Sequence, residues 1–406
     1  MNNKLRRLLL AAPAFLLIHP AFAQTNWSDL AAFHDTVSAD TFARLLAEVY
    51  APGGGMIPYL RYVEGGVAIY DDKAQAGDPL FTLRFAPEDR PPPVKPVGRD
   101  GAPLHGLRVA LDPGHIGGAW SRMEERFFLV NRERDWPVQE AALNLHVAHL
   151  LSNRLAAAGA DVVLVKDDFE PMTAVRPDLL MTNDTPLPPA DPRFAHLPAV
   201  FAESSRHDAR RKALERQFYR NAEITARAEK LNRELKPDLT LCIHFNATGY
   251  GDEKTLYDEN GLTFFVHGNY QAGELANATQ KWFLVRKLLE RSHEAELGLA
   301  RAIATAFAAA SGLPPSYRVG PGGVMHPMDD AQYVYARNLA ANRQFPGPVI
   351  FLEPYFMNNR TVYARIQAGD YDGEQVVDGA TYPSIFREYA DAVTEGIIAY
   401  YTSARR

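Results

Sequence analysis

The stretch Val109-Ala110-Leu111-Asp112-Pro113-Gly114-His115-Ile116-Gly117-Gly118 constrains this chain more than any other. Three apolar residues run into an acid, a proline, a glycine and a histidine, which reads as a buried strand feeding a tight turn. In α/β folds, ligands bind beyond the carboxyl ends of the strands. His115 therefore stands where a metal ligand or a catalytic base would stand. A plain turn with a surface histidine gives the same short pattern, so the choice rests on whether later stretches answer to it.

Several do. Glu140 opens an amphipathic run in which Leu143, Val147, Leu150, Leu151 and Leu155 share one helical face, closed by Gly159. Asp161–Val165 is the next strand, and strand, helix, strand at this spacing is a βαβ unit with a parallel crossover. Asp238–Ile243 is a strand followed at once by His244-Phe245-Asn246, Leu262–Val266 is another, and Val349–Leu352 ends in Glu353. Glu294–Ala310 is an Ala/Leu-rich helix ending at Gly312, and Tyr389–Tyr401 is a closing helix. Arg206–Leu235 reads as a charged helix, solvated on one side, with Leu214, Phe218, Ile224 and Leu231 turned inward. The expected fold class is α/β: a central mixed, mostly parallel sheet flanked by helices, with a small N-terminal α+β accessory unit.

That unit spans residues 24–97. Ser38 caps a helix whose apolar face is Phe42, Leu45, Leu46 and Val49, and a hairpin about Gly65-Gly66 joins a third strand over Leu80–Phe85. Three strands and a helix are marginal alone, so a docked structural add-on is at least as good a reading as a wall- or partner-binding module. Pro91-Pro92-Pro93, Pro96 and Pro103 make a stiff linker ending over residues 98–106, and the main domain runs from 107 to 406.

Residues 1–23 carry Lys4, Arg6 and Arg7, an apolar run and Ala21-Phe22-Ala23, the pattern of a secretory signal peptide. Pro13, His19 and Pro20 interrupt the run, which is shorter than the ~20 residues of a membrane span. The expected mature chain is exported, to the periplasm or beyond, without a span. Cleavage moves the formal charge from −6 to −9, which argues against a nucleic-acid partner. The single cysteine, Cys242, leaves the fold to stand on its core and not on disulfides. No Walker loop, G-x-S-x-G elbow or strand-borne G-x-G-x-x-G occurs.

His115, His244 and Glu353 thus end three separate strands, and Glu140 begins the helix after the first. If the strands are neighbours, all four converge on one rim. Two imidazoles and one carboxylate form a zinc set with a position left open, and a second carboxylate can carry the proton from water to a leaving nitrogen.

From Leu107 to its end the chain resembles the zinc-dependent N-acetylmuramoyl-L-alanine amidases of bacterial cell-wall turnover. The residues that carry the resemblance are Asp112-Pro113-Gly114-His115-Ile116-Gly117-Gly118, Glu140-Ala141-Ala142-Leu143-Asn144-Leu145, Cys242-Ile243-His244-Phe245-Asn246-Ala247 and Glu353-Pro354-Tyr355-Phe356-Met357-Asn358-Asn359, in the family's order. The resemblance implies one Zn2+ per chain held by His115, Glu140 and His244, with Glu353 as the catalytic carboxylate. It implies peptidoglycan as partner and cleavage between N-acetylmuramic acid and L-alanine. Asn246 and Arg122 are candidates for orienting the substrate or supporting the ligands.

Cys242 stands where the family has serine, and Ala119–Pro137 and Pro171–Arg220 are longer than the family leads one to expect. Two alternatives stay open. One is a zinc exopeptidase or amidase acting on another peptide, with Arg318 or Arg337 as a carboxylate clamp. The other is an autoinhibited wall-binding or regulatory protein in which Arg122, Glu124, Glu125 and Arg126 cover the site until a protein activator opens it. Gly320-Pro321-Gly322-Gly323 reads as a loop, with His326 as a loop histidine beside it.

Overall fold

The computed structural model describes residues 25–90, 97–98, 101–180, 199–249, 252–317, 319–320 and 323–403. The signal-peptide stretch 1–23, Pro91-Pro92-Pro93, Pro96, residues 181–198, Arg318, Pro321 and Gly322 lie outside the described residues.

The N-terminal unit opens with a 3-10 segment over Trp27–Phe33, followed by helix α1 (Ala39–Leu45), whose Thr41 amide donates to Ser38 Oγ at 3.2 Å. Strands β1 (Leu60–Val63), β2 (Gly66–Ile69) and β3 (Phe81–Arg84) form an antiparallel sheet. Gly66 belongs to this sheet by necessity, since a Cβ there would lie 2.1 Å from the Leu83 carbonyl oxygen.

Strand β4 (Arg108–Pro113) follows, then a short hairpin of β5 (Phe127–Phe128) and β6 (Val138–Gln139) that leads straight into helix α2 (Glu140–Ala157). The Ala119–Pro137 stretch, aperiodic in sequence, is thus a folded excursion that begins with a 3-10 turn at Gly118–Trp120 and returns through this hairpin. Strand β7 (Asp161–Leu164) completes the βαβ unit. Helix α3 (Ala199–Arg216) continues through the wide turns of Gln217–Ala222 into α4 (Glu223–Lys230). Beyond them come β8 (Leu239–Ile243), β9 (Leu262–His267), α5 (Ala278–Glu290), α6 (Ser292–Ser311), β10 (His326–Pro327), β11 (Val334–Arg337), β12 (Val349–Pro354) and α7 (Ile385–Ser403).

The main sheet has the order β10-β11-β9-β12-β8-β4-β7. Strands β12, β8, β4 and β7 are parallel, and β9 runs antiparallel to β12. The three strands that end at His115, His244 and Glu353 are therefore adjacent. His326, expected in a loop, instead lies on edge strand β10, pairing with Ala336.

Alternation assigns the two faces. Val109, Leu111, Leu241, Ile243, Phe264, Val266, Ile350 and Leu352 pack under α2, α6 and α7 in one apolar cluster. Ala110, Cys242 and Val349 face the other way, with Ala228, Leu231, Ala341 and Phe345. Cys242 is a packed core residue whose thiol is pushed well up by burial.

Helix α5, not anticipated from sequence, closes the core of the N-terminal unit. Its Trp282, Leu284, Val285 and Leu288 share a cluster with Phe42, Leu45, Val49, Ile69 and Leu83. Polar contacts reinforce the seam: Tyr50 Oη donates to the Lys287 carbonyl at 2.9 Å, and Lys281 Nζ donates to the Asp71 carbonyl at 2.7 Å. Among the described residues no helix is long and apolar enough to cross a membrane.

Because α5 comes from the main-domain sequence yet closes the core of the N-terminal unit, the chain is expected to unfold in a single calorimetric transition. Phe42→Ala should lower that whole transition, at a cost of about 3–5 kcal/mol. Two separated transitions, with only one of them moved by the substitution, would contradict a shared core.

Candidate metal centre

The turn after β4 is held by an unusual number of donors. His115 adopts a left-handed backbone (φ 67°), a conformation rare for residues with a Cβ. It is kept there from three sides. Gly114 N donates to the Ile243 carbonyl at 2.9 Å, and Asn144 Nδ2, one helical turn beyond Glu140, donates to the Gly114 carbonyl at 3.1 Å. Arg227 on α4 does most: its guanidinium donates to Asp112 Oδ1 (2.9 Å), the Pro113 carbonyl (2.9 Å), the His115 carbonyl (2.7 Å) and Glu223 Oε1 (3.0 Å). Glu223 in turn accepts from the Met172 and Thr173 amides.

Register sets the remaining positions. Asp112 pairs with Cys242 and Phe351 with Cys242, so Gly114, His244 and Glu353 fall in the next row across three strands. The absence of a side chain at Gly114 is what admits His244, since a Cβ there would lie 2.0–2.4 Å from the imidazole atoms. His244 stacks on Phe351 (4.2 Å between centroids) and meets the edge of His115 at 5.0 Å.

Glu140 projects between the two histidines. Its Oε1 lies 2.9 Å from His244 Nδ1 and its Oε2 lies 3.1 Å from His115 Nε2. His115, Glu140 and His244 form the group among the described residues whose donor atoms converge tightly enough to hold a metal ion, all within 4.8 Å of one another. Glu140 Oε2 is buried and makes no hydrogen bond. Arg126 Nε at 2.8 Å and His115 Nε2 are close enough for attraction, but neither forms a directed bond to it. A buried carboxylate set between two imidazoles, with one oxygen lacking a hydrogen bond, is a donor set that suits a divalent cation.

The electrostatics agree. Burial would raise the Glu140 carboxyl, but His115, His244 and Arg126 hold it well below its usual value. Burial lowers the His244 imidazole and outweighs Glu140, keeping the ring neutral with a lone pair to offer. Burial works the same way on His115, but Glu140 and Glu124 overcome it and bring the ring up to about 9, a measure of how strongly this pocket favours a cation. Glu353 is raised to about 7 by burial and by the Glu140 charge, against Arg337, Arg126 and His115.

Of the other residues singled out in sequence, Asn246 is buried and its Nδ2 donates to Tyr317 Oη at 3.2 Å. Tyr317 lies within the field of Glu353. Arg122 is not brought to the ligand set: it pairs with Glu253 and lies over the Phe127 ring, 3.6 Å from its centroid. Its neighbours Glu124 and Arg126 reach His115 and Glu140 instead. Arg337 lies over Phe265 and acts on Glu353 only through its charge. Arg227 and Tyr317 had no sequence signal, because nothing in their local periodicity marks them as buried.

This α/β sheet gathers at its rim, from the carboxyl ends of two adjacent strands and the start of α2, a His-Glu-His group that could hold a metal ion. The particular family follows from comparison. Residues 109–382 match the family model of N-acetylmuramoyl-L-alanine amidase, and the chain belongs to that family. Among solved structures it is similar to the amidase Ami1 from Mycobacterium abscessus (18% identity, TM-score 0.39, 73% of this chain and 99% of that one). It is also similar to Ami1 from Mycobacterium smegmatis (16%, 0.38, 74% and 98%) and to AmiC2 of Nostoc punctiforme (15%, 0.37, 74% and 98%). No curated protein matches the chain.

Breaking the Arg227 clamp leaves buried carboxylates unpaired. Arg227→Met is expected to lower stability by about 3–5 kcal/mol, read from urea denaturation. A loss under 1 kcal/mol would show that the turn holds itself.

Proposed function

We propose that the protein is an exported zinc hydrolase that cuts the amide between the lactyl group of N-acetylmuramic acid and L-alanine in peptidoglycan. The observation that carries this reading is the convergence of His115, Glu140 and His244, with Glu353 beside them on the neighbouring strand. Family membership supplies the substrate class. In this reading residues 24–97 form an accessory unit bracing a catalytic domain that runs from 107 to 406.

His115, Glu140 and His244 would hold one zinc ion, which would supply Lewis acidity toward the scissile carbonyl and lower the pKa of water to ~7. Glu353 takes the proton from the attacking water and returns it to the alanine nitrogen as that nitrogen leaves. The Glu353 carboxyl suits both halves of this task because burial and Glu140 raise it toward neutrality. Phe351 stacks on the His244 ring and fixes its plane. Asn246 holds the Tyr317 hydroxyl, and through it orients a side chain that lies near Glu353.

Purified protein is expected to carry one zinc per chain and to release muramyl glycan from peptidoglycan, leaving new L-alanine amino ends. Glu353→Gln should keep the zinc and lose about 10²–10⁴-fold in kcat. Zinc without any wall cleavage would move the substrate to another amide, and a chain without zinc would remove the reading.

The pH profile is a separate test. A base works only when deprotonated, so kcat/KM rises with pH through the Glu353 transition. A bound cation opposes the upward shift, which places the acid limb between pH 4.5 and about 7. A profile flat down to pH 4 would exclude Glu353 as the base.

A further inference from the structure

Glu124 lies in the excursion between His115 and Glu140, and its carboxylate is 2% exposed. It is surrounded by donors of the His115 turn. Oε1 lies 3.2 Å from His115 Nδ1 and 3.0 Å from the Ile116 amide, and Oε2 lies 3.0 Å from the Gly117 amide and 3.1 Å from that of Ile116. The left-handed His115 and the positive φ of Gly117 (83°) turn these amides to one side, making a concavity suited to an anion.

The excursion is folded to deliver this carboxylate. Glu124 N donates to the Trp120 carbonyl at 3.0 Å, and Arg126 N donates to the Ser121 carbonyl at 2.8 Å. Two residues on, Arg126 Nε reaches to 2.8 Å from Glu140 Oε2.

An ionised carboxylate only accepts hydrogen bonds. Facing Nδ1, it keeps the proton on Nδ1 when a cation displaces the one on Nε2, the nitrogen that faces Glu140, so that the Nε2 lone pair is the one offered. We propose that Glu124 is a positioning residue for the metal centre: it fixes the tautomer and ring plane of His115, so that the 119–137 excursion is a wall of the metal site and not a detachable lid. This inference rests on the zinc reading above.

The test is zinc affinity of the full chain, by competition with a chelating dye, for wild type and Glu124→Gln. Glutamine keeps an acceptor oxygen for the Ile116 and Gly117 amides, but its NH2 donates to Nδ1 and favours the wrong tautomer. The expected result is zinc binding about 10–100-fold weaker, an altered visible spectrum of the cobalt-substituted protein, and a metal-free melting temperature close to wild type. Equal affinity and an unchanged cobalt spectrum would overturn the proposal.

A second measurement needs no variant at Glu124. Long-range 1H–15N correlations of the zinc-loaded wild type, with His115 assigned by loss of its signal in His115→Asn, should show Nδ1 protonated and Nε2 ligated. Ligation through Nδ1 would overturn the proposal. Absence of zinc from wild type would remove the metal reading itself, whereas zinc in wild type with equal affinity in Glu124→Gln removes only the role of Glu124.

Discussion

The Arg227 guanidinium, 1% exposed, is the contact on which the site depends. It is charged at any physiological pH, and burying it unpaired would cost several kcal/mol. The fold meets that cost with two carboxylates, Asp112 and Glu223, and spends the remaining donors on the Pro113 and His115 carbonyls. Those carbonyls turn inward because His115 is left-handed, and His115 can stay left-handed because its carbonyl has this partner. One buried cation therefore determines the direction in which the first histidine leaves the sheet. Asp112, easily taken for a functional acid, serves as its counter-ion.

The second dependence runs through Glu140. The carboxylate stands at the start of α2, where the helix dipole alone would favour an acid. It does more than cap, since it touches both histidines, and the Phe245 amide donates to its Oε1 at 3.3 Å. The α2 face one turn on carries Asn144 to the Gly114 carbonyl. Helix α2 thus brings both Glu140 and a support for the turn that bears His115. Its apolar face, with Leu143, Val147, Leu151 and Leu155, locks the axial position of both.

Much of this is legible in sequence because strands β4, β8 and β12 are short apolar runs that end abruptly in His or Glu, and because α2 has clean helical spacing. What escapes has a physical cause in each case. Arg227 lies in a run of charges that reads as a solvated face, yet α4 packs on the second face of the sheet, where a buried ion network adjoins the apolar contacts of Ala228 and its neighbours. Helix α5 carries Lys281 and Lys287, both fully buried, whose ammonium groups end on backbone carbonyls. Charge obscured its apolar face. Strands β5, β6 and β10 have two residues each, too few for any period to show. The 119–137 stretch looked like cover for the site because its pattern of Arg and Glu has no helical or strand spacing. Only the fold shows that Glu124 and Arg126 face His115 and Glu140, while Arg122 faces Glu253.

Register explains why the proposed base can be placed so closely without a dedicated support of its own. Leu352 pairs with Ile243, which puts Glu353 level with His244 on the same face. The residues on either side of Glu353 in β12, Leu352 and Pro354, are buried, and Leu352 belongs to the large core under α6 and α7. A slip of one residue would drive the Glu353 carboxylate into that core and lift Leu352 into the polar cleft. Both changes are unfavourable, the first by several kcal/mol for an unpaired buried charge. The apolar face of the sheet therefore enforces the geometry of the polar face. The same argument covers β8, where Ile243 and Phe245 lie in the core on either side of His244. Glu353 and His244 are aligned across two strands by the core residues that flank them.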